Sequence, residues 1–189
     1  MAKLQAKRLS LSTLLTVALL ASLSSGCFMF GGGEPLEVVE KVDIERYMGT
    51  WYEIAKYPNS FEAGCFAVTA EYTLRDDGSV TVHNVCRSED GRTIQRTITG
   101  FATVADKETN AKLTVYFFYP FGAPYWIIDL DEEYRYAAVG DPTRSFLWIL
   151  SRTPTLDEET YNGILSRLPA KGYDPARLEL MPQFPEVSP

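Results

Sequence analysis

Gly49-Thr50-Trp51-Tyr52-Glu53-Ile54-Ala55 is the stretch on which the fold turns. From Trp51 to Lys56 it reads as the first of a series of short extended segments separated by turn residues. Val68 to Leu74 alternates Val68, Ala70, Tyr72 and Leu74 against Thr69, Glu71 and Thr73, the period of a strand with one buried face. Asp76-Asp77-Gly78 then returns the chain into Val80 to Cys86, a strong hairpin signal. Ile94 to Val104 follows, and after Asp106 to Asn110 comes Leu113 to Tyr119. The turn Pro120-Phe121-Gly122-Ala123-Pro124 leads into Tyr125 to Leu130, and Tyr134 to Val139 and Phe146 to Ser151 end the series. Evenly spaced up-and-down strands must hide their edges, and closing into a barrel does so; eight strands can hold one small ligand. The expected fold is all-β, an eight-stranded up-and-down antiparallel barrel.

One helix follows the last strand. Thr155-Leu156-Asp157-Glu158 has the spacing of a capping box, with Pro154 before it. Tyr161, Ile164, Leu165 and Leu168 then form one apolar face, and Pro169 and Gly172 end the helix. It is expected to pack on the barrel wall.

Gly49-x-Trp51 resembles the signature of the lipocalins, in which a short helical turn closes the barrel base and the tryptophan plugs its floor. Asp131-Glu132-Glu133-Tyr134 resembles the family's second segment, between strands six and seven, and Arg152 resembles the arginine lying over the floor tryptophan. Trp148 to Thr155 and Tyr116 to Phe121 are similar to the bacterial lipocalins and their apolipoprotein-D-like relatives. The resemblance runs from Val38 to Gln183. It implies structural roles for Gly49, Trp51, Tyr134 and Arg152. It also implies a fatty acid or lysophospholipid ligand, no cofactor, and a role in storing or carrying membrane lipid. Counting strands alternately up and down brings Trp51 and Arg152, about a hundred residues apart, to the same end of the barrel.

Lys3, Lys7 and Arg8 precede an apolar stretch from Leu9 to Leu23, and Ser24-Ser25-Gly26 stands directly before Cys27. This is the layout of a signal peptide, since the apolar run is shorter than the ~20 residues a spanning helix needs. Cys27 resembles the lipidated cysteine of bacterial lipoproteins, with Ser24 where that family usually carries leucine. The resemblance implies a diacylglycerol on the thiol and acylation of the new amine. Phe28, where aspartate would favour the inner membrane, then implies the outer membrane with the barrel facing the periplasm. An ordinary secreted protein cut nearby is the alternative. Residues 1–26 are accordingly expected to be the signal peptide, 27–37 the lipidated N-terminus and a flexible tether, and 38–189 the lipocalin domain.

Of the 189 residues, 46% are hydrophobic and 13% aromatic, which suits a β-protein or one lining a cavity with rings. The net charge is −7, and the three cations before Cys27 leave the remainder near −10, an argument against a nucleic-acid partner. A homodimer is left open. Cys65 and Cys86 would meet an oxidising compartment, where a pair most often forms a disulfide; two buried free thiols are the alternative. Two thiols without a carboxylate–histidine cluster make a poor metal site.

Taking Trp51 and Arg152 as inward, alternation turns Leu150, Trp148 and Phe146 inward on the last strand. It does the same for Val80 and Val82, for Ile94, Ile98 and Ala102, and for Leu113, Val115 and Phe117. Tyr72, Val82, Arg96, Val115, Phe117 and Trp148 are the ligand-binding candidates. Arg96 shares parity with Ile94 and Ile98, so it would offer a cation to a carboxylate or phosphate. A bulge turning it to solvent, or a pair with Glu53, are alternatives. Phe61, Phe121 and Tyr125 are expected at the mouth, either touching a bilayer or folding over the opening.

His83 is the single histidine, on the face opposite the apolar set, and no G-x-S-x-G elbow is present, so a catalytic triad is not expected. Two readings follow: a lipid-binding protein that is not an enzyme, or an envelope protein-interaction module with no ligand.

Overall fold

The computed structural model describes residues 34–184. A single turn of helix, α1 (Ile44–Tyr47), leads into β1 (Gly49–Lys56), β2 (Phe66–Leu74), β3 (Val80–Arg87) and β4 (Ile94–Val104). After these come β5 (Lys112–Phe118), β6 (Phe121–Leu130), β7 (Tyr136–Gly140) and β8 (Leu147–Ser151), then the helix α2 (Glu158–Arg167) and a two-residue strand, β9 (Glu179–Leu180). Each strand pairs with the next from β2 to β8, and β1 pairs with both β8 and β2, which closes the barrel.

Alternation partitions the core. Inside the barrel, Trp51, Ala70, Tyr72, Val80, Val82, Ala102, Leu113, Val115 and Leu150 form one cluster. The opposite parity of the same strands supplies Ile54, Ala138, Leu147 and Ile149, which pack with Ile164 and Leu168 of α2 outside the wall. Leu36, within the stretch read as tether, is buried in this outer cluster. Arg167 of α2 also pairs with Asp129 of β6 at 2.7 Å.

Several boundaries differ from expectation, each for a local reason. The N-cap of α2 is Asp157 rather than Thr155, because the Asp157 carboxylate accepts from both the Thr160 amide (2.8 Å) and its hydroxyl (2.7 Å). The turn expected over Pro120–Pro124 shrinks to Tyr119-Pro120, because Phe118 pairs directly with Phe121. β6 therefore starts four residues early and carries Tyr125 down into the barrel, opposite Leu113, instead of leaving it at the mouth. Tyr134 lies in the turn before β7 with a φ of 60°. Ile94 and Ile98 are exposed despite their inward parity, because β4 pairs with β5 only over Phe101–Val104 and its first half outruns the barrel. Leu74, at the end of β2, is also exposed.

β1 pairs with β2 only as far as Tyr52, opposite Thr69. Above that point the C-terminal tail fills the parting: β9 pairs with Ala55 and Lys56, and the Met181 amide donates to the Ile54 carbonyl at 2.9 Å. The Gln183 amide donates to the carbonyls of both Glu53 (2.7 Å) and Val68 (2.9 Å). The wall is thus eight strands plus a stitch.

Candidate functional site

The floor is built on β1. Trp51 has no exposed surface, and its Nε1 donates to the Tyr47 carbonyl of α1 at 2.9 Å. The Arg152 guanidinium lies 3.9 Å from the Trp51 ring centroid and donates to the carbonyls of Arg46 (2.7 Å), Thr50 (3.0 Å) and Tyr134 (3.3 Å). A guanidinium over an indole, sheltered from water, contributes on the order of 1–2 kcal/mol. Gly49 has a φ of +92°, and a Cβ there would stand 3.4 Å from Arg152 Nη1, so a side chain would be strained and crowded against the guanidinium. The Tyr134 hydroxyl accepts from the Asp43 amide at 2.8 Å, anchoring α1. Asp131 is buried and bidentate with Arg135, which holds its carboxyl below the usual range.

Directly above the floor, Tyr125 joins Tyr47 and Tyr72 through its hydroxyl, at 2.9 and 3.0 Å. Burial raises the pKa of all three, that of Tyr72 to about 12, so they stay neutral hydroxyls. A cavity of about 20 Å³ opens beside them, lined by residues that include Tyr72, Val82, Leu113 and Val115. That cavity holds roughly one water and no lipid tail.

Higher up, the interior turns mixed. Phe117 and Trp148 pack on the barrel cluster, and Trp148 Nε1 donates to the Glu62 carboxylate at 3.3 Å. Glu53, two residues above Trp51 and paired with Leu150, is buried inside. Arg96 pairs with Cys86 on the interior face, but its guanidinium reaches the mouth, donating to the Ala63 carbonyl (3.1 Å) and Cys65 Sγ (3.0 Å) rather than to Glu53. Cys65 and Cys86 are joined by a disulfide. At the rim, Phe118, Tyr119 and Phe121 are 73%, 77% and 81% exposed. Phe61 meets Phe146 with centroids 5.7 Å apart, and Phe146 stacks on Trp148.

The model of the lipocalin-like domain family matches residues 42–183. This chain belongs to the lipocalins. Among curated relatives of this lipocalin, the outer membrane lipoprotein Blc of Escherichia coli K12 is 45% identical over 137 residues, covering 72% of this chain and 77% of the relative. Temperature-induced lipocalin-1 of Arabidopsis thaliana is 41% identical over 157 residues (78% and 83%), and mouse apolipoprotein D is 39% identical over 146 (72% and 75%). Among solved structures, insecticyanin from the tobacco hornworm superposes with a TM-score of 0.64 at 20% identity, covering 80% of this chain and 86% of that one.

Of the ligand-binding candidates in this lipocalin, Tyr72, Val82 and Val115 line the small cavity, Phe117 and Trp148 stand above it, and Arg96 serves the mouth. Sequence reasoning passed over Tyr47 and Glu62, placed Tyr125 at the mouth, and treated Glu53 only as a partner for Arg96. Cys27 lies outside the described residues. Among the described residues, no group of three or more His, Cys, Asp or Glu is placed to hold a metal ion.

Glu53 offers a stability test. Burial, reinforced by the Glu62 charge, raises its carboxyl well above the usual range. The folded protein therefore keeps this proton to a higher pH than the unfolded chain, whose carboxyl titrates at about 4.3. The resulting stability is complete below that value and is lost as pH rises through the folded value. Glu53→Gln removes the loss, so the difference in Tm between variant and wild type should shift in the variant's favour from pH 4 upward. Thermal unfolding across pH checks this; a pH-independent difference refutes it.

Proposed function

We propose that this lipocalin binds a single-chain membrane lipid, a fatty acid or lysophospholipid, and stores or transports it for outer-membrane maintenance. It acts as a binder and not as an enzyme. The observation that carries the reading is an interior closed at one end by the Trp51–Arg152 floor, with aromatic rings crowding the other end. Phe117, Trp148 and Phe146 offer apolar surface for a tail, and Arg96 places a cation at the mouth where a carboxylate or phosphate would sit. The exposed Phe118 and Phe121 at the same rim suit contact with a lipid surface.

Anchoring through acylated Cys27 fits this geometry. The Glu34 carbonyl accepts from Arg144 at 2.6 Å, in the β7–β8 loop at the mouth. Cys27 precedes Glu34 by seven residues, a reach of at most about 25 Å. The mouth would then face the bilayer that holds the anchor, with the barrel on the periplasmic side. Relatives named outer membrane lipoproteins support the location.

The test uses the mature chain with Cys27→Ser, purified from cells, extracted with solvent and analysed by mass spectrometry. A co-purified single-chain lipid, and saturable uptake of a fluorescent fatty acid, are expected. An empty barrel that also takes up no fatty acid overturns the reading and leaves a protein-interaction module.

A further inference from the structure

Two buried acceptors face the barrel interior without a hydrogen-bond partner among the described residues: Glu53 Oε1 and Asn84 Oδ1. Glu53 is 3% exposed, so its side chain is well over nine-tenths buried. The register places Asn84 on the row of Trp51, with Glu53 one interior position above that row on β1. Trp51 pairs with Ala70, and Ala70 with Asn84, so only β2, with the small Ala70 on that row, stands between β1 and Asn84. Buried polar groups are almost always bonded, and bare acceptors inside the barrel mark a place where a ligand supplies the missing donors.

We infer that Glu53 and Asn84 form a deep recognition point for the primary ammonium head of a single-chain amphiphile, which enters head-first with its tail toward the mouth. This rests on the lipid-binding reading above and adds the head-group class and its orientation. The alternatives fail on chemistry. A tail end placed at this row leaves both acceptors bare and dehydrated. A carboxylate head meets the charge of a second carboxylate, Glu62, which already acts on Glu53. An ammonium brings three donors and the opposite charge.

The surroundings leave that role open to a ligand. The Arg96 guanidinium is engaged at the mouth by the Ala63 carbonyl and Cys65 Sγ. The Lys56 amine is turned to Glu179 of β9, at 3.5 Å. Below the row the barrel is closed by the tyrosine cluster and its 20 Å³ cavity, so a tail can run only upward, past Phe117 and Trp148. An ammonium-headed ligand would therefore lie inverted relative to an acid-headed one held by Arg96.

The experiment compares decylammonium with decanoate by titration calorimetry on the mature Cys27→Ser chain. Wild type is expected to bind the amine at least about tenfold more tightly, the size of one hydrogen bond to a charged group. Glu53→Gln and Asn84→Leu should each reduce the ratio severalfold, while Glu71→Gln, an exposed position of opposite parity on β2, leaves it unchanged. Using the ratio within each variant cancels any fraction that fails to fold. Equal affinities in wild type, or a ratio untouched by both interior variants, overturn the inference while the lipid-binding reading stands. No binding of either ligand overturns that reading itself.

Discussion

Trp51→Ala is expected to lower the unfolding free energy by about 4 kcal/mol, the usual cost of deleting a fully buried large aromatic. The loss has three parts. The indole has no exposed surface, so its removal leaves a void that the closed strands around it resist filling. Its Nε1 bond to Tyr47 disappears, freeing the carbonyl that ties α1 to the floor. Arg152 loses the ring beneath it while its guanidinium stays partly desolvated, a condition that already depresses its ionisation. Tyr47 packs at a tilt on the same indole, with centroids 4.9 Å apart, so the tyrosine cluster above should loosen too. Urea unfolding at fixed pH gives the number. Trp51→Phe, which keeps a ring but loses the N–H, should fall between. A Trp51→Ala cost below about 1 kcal/mol would mean that the floor closes without the tryptophan.

What the sequence made visible follows from periodicity. Alternation tells which side of a strand a residue faces, so the split between Leu150 inside and Ile149 against α2 could be read directly. It does not tell how far along the barrel a residue sits. Ile94 and Ile98 have inward parity but lie where β4 has outrun its partner, and Tyr125 sits deep because β6 begins earlier than its turn residues indicated. Short elements leave no period at all: β9 is two residues long, and Gln183 stitches β1 to β2 with one amide. Glu53 shares the inward parity of Trp51, two residues before it, but entered the sequence reading only as a partner for Arg96. Its environment depends on Glu62, brought close only by the closed barrel, and no local pattern announces it.

Removal of the Cys65–Cys86 bridge is the second large effect expected. The cysteines are 21 residues apart, and closing a loop of that length stabilises by about 3 kcal/mol through the unfolded chain. The location adds a local consequence. β2 is irregular beside the bridge: its register with β3 shifts between Phe66 and Thr69, and Ala67 is held at a φ of 43°, in the left-handed region that alanine disfavours. Ala67 is kept there by its amide bond to the Pro182 carbonyl, by the Arg87 guanidinium donating to the Ala67 carbonyl at 2.9 Å, and by the bridge two residues away. Val68 and Met181 pack around the sulfurs, and Arg96 is tied to Cys65 Sγ. Without the bridge the Asn59–Gly64 loop loses its covalent hold on β3, and Arg96 loses one of its two anchors at the mouth. The double variant Cys65→Ser, Cys86→Ser should therefore unfold at lower urea by about 3 kcal/mol, and wild type treated with dithiothreitol should match it. Hydrogen exchange should quicken over residues 59–68 and stay slow over β7 and β8, which are buried between the barrel core and α2. An unchanged midpoint on reduction would show that the irregular segment is held by its hydrogen bonds and by Met181 alone.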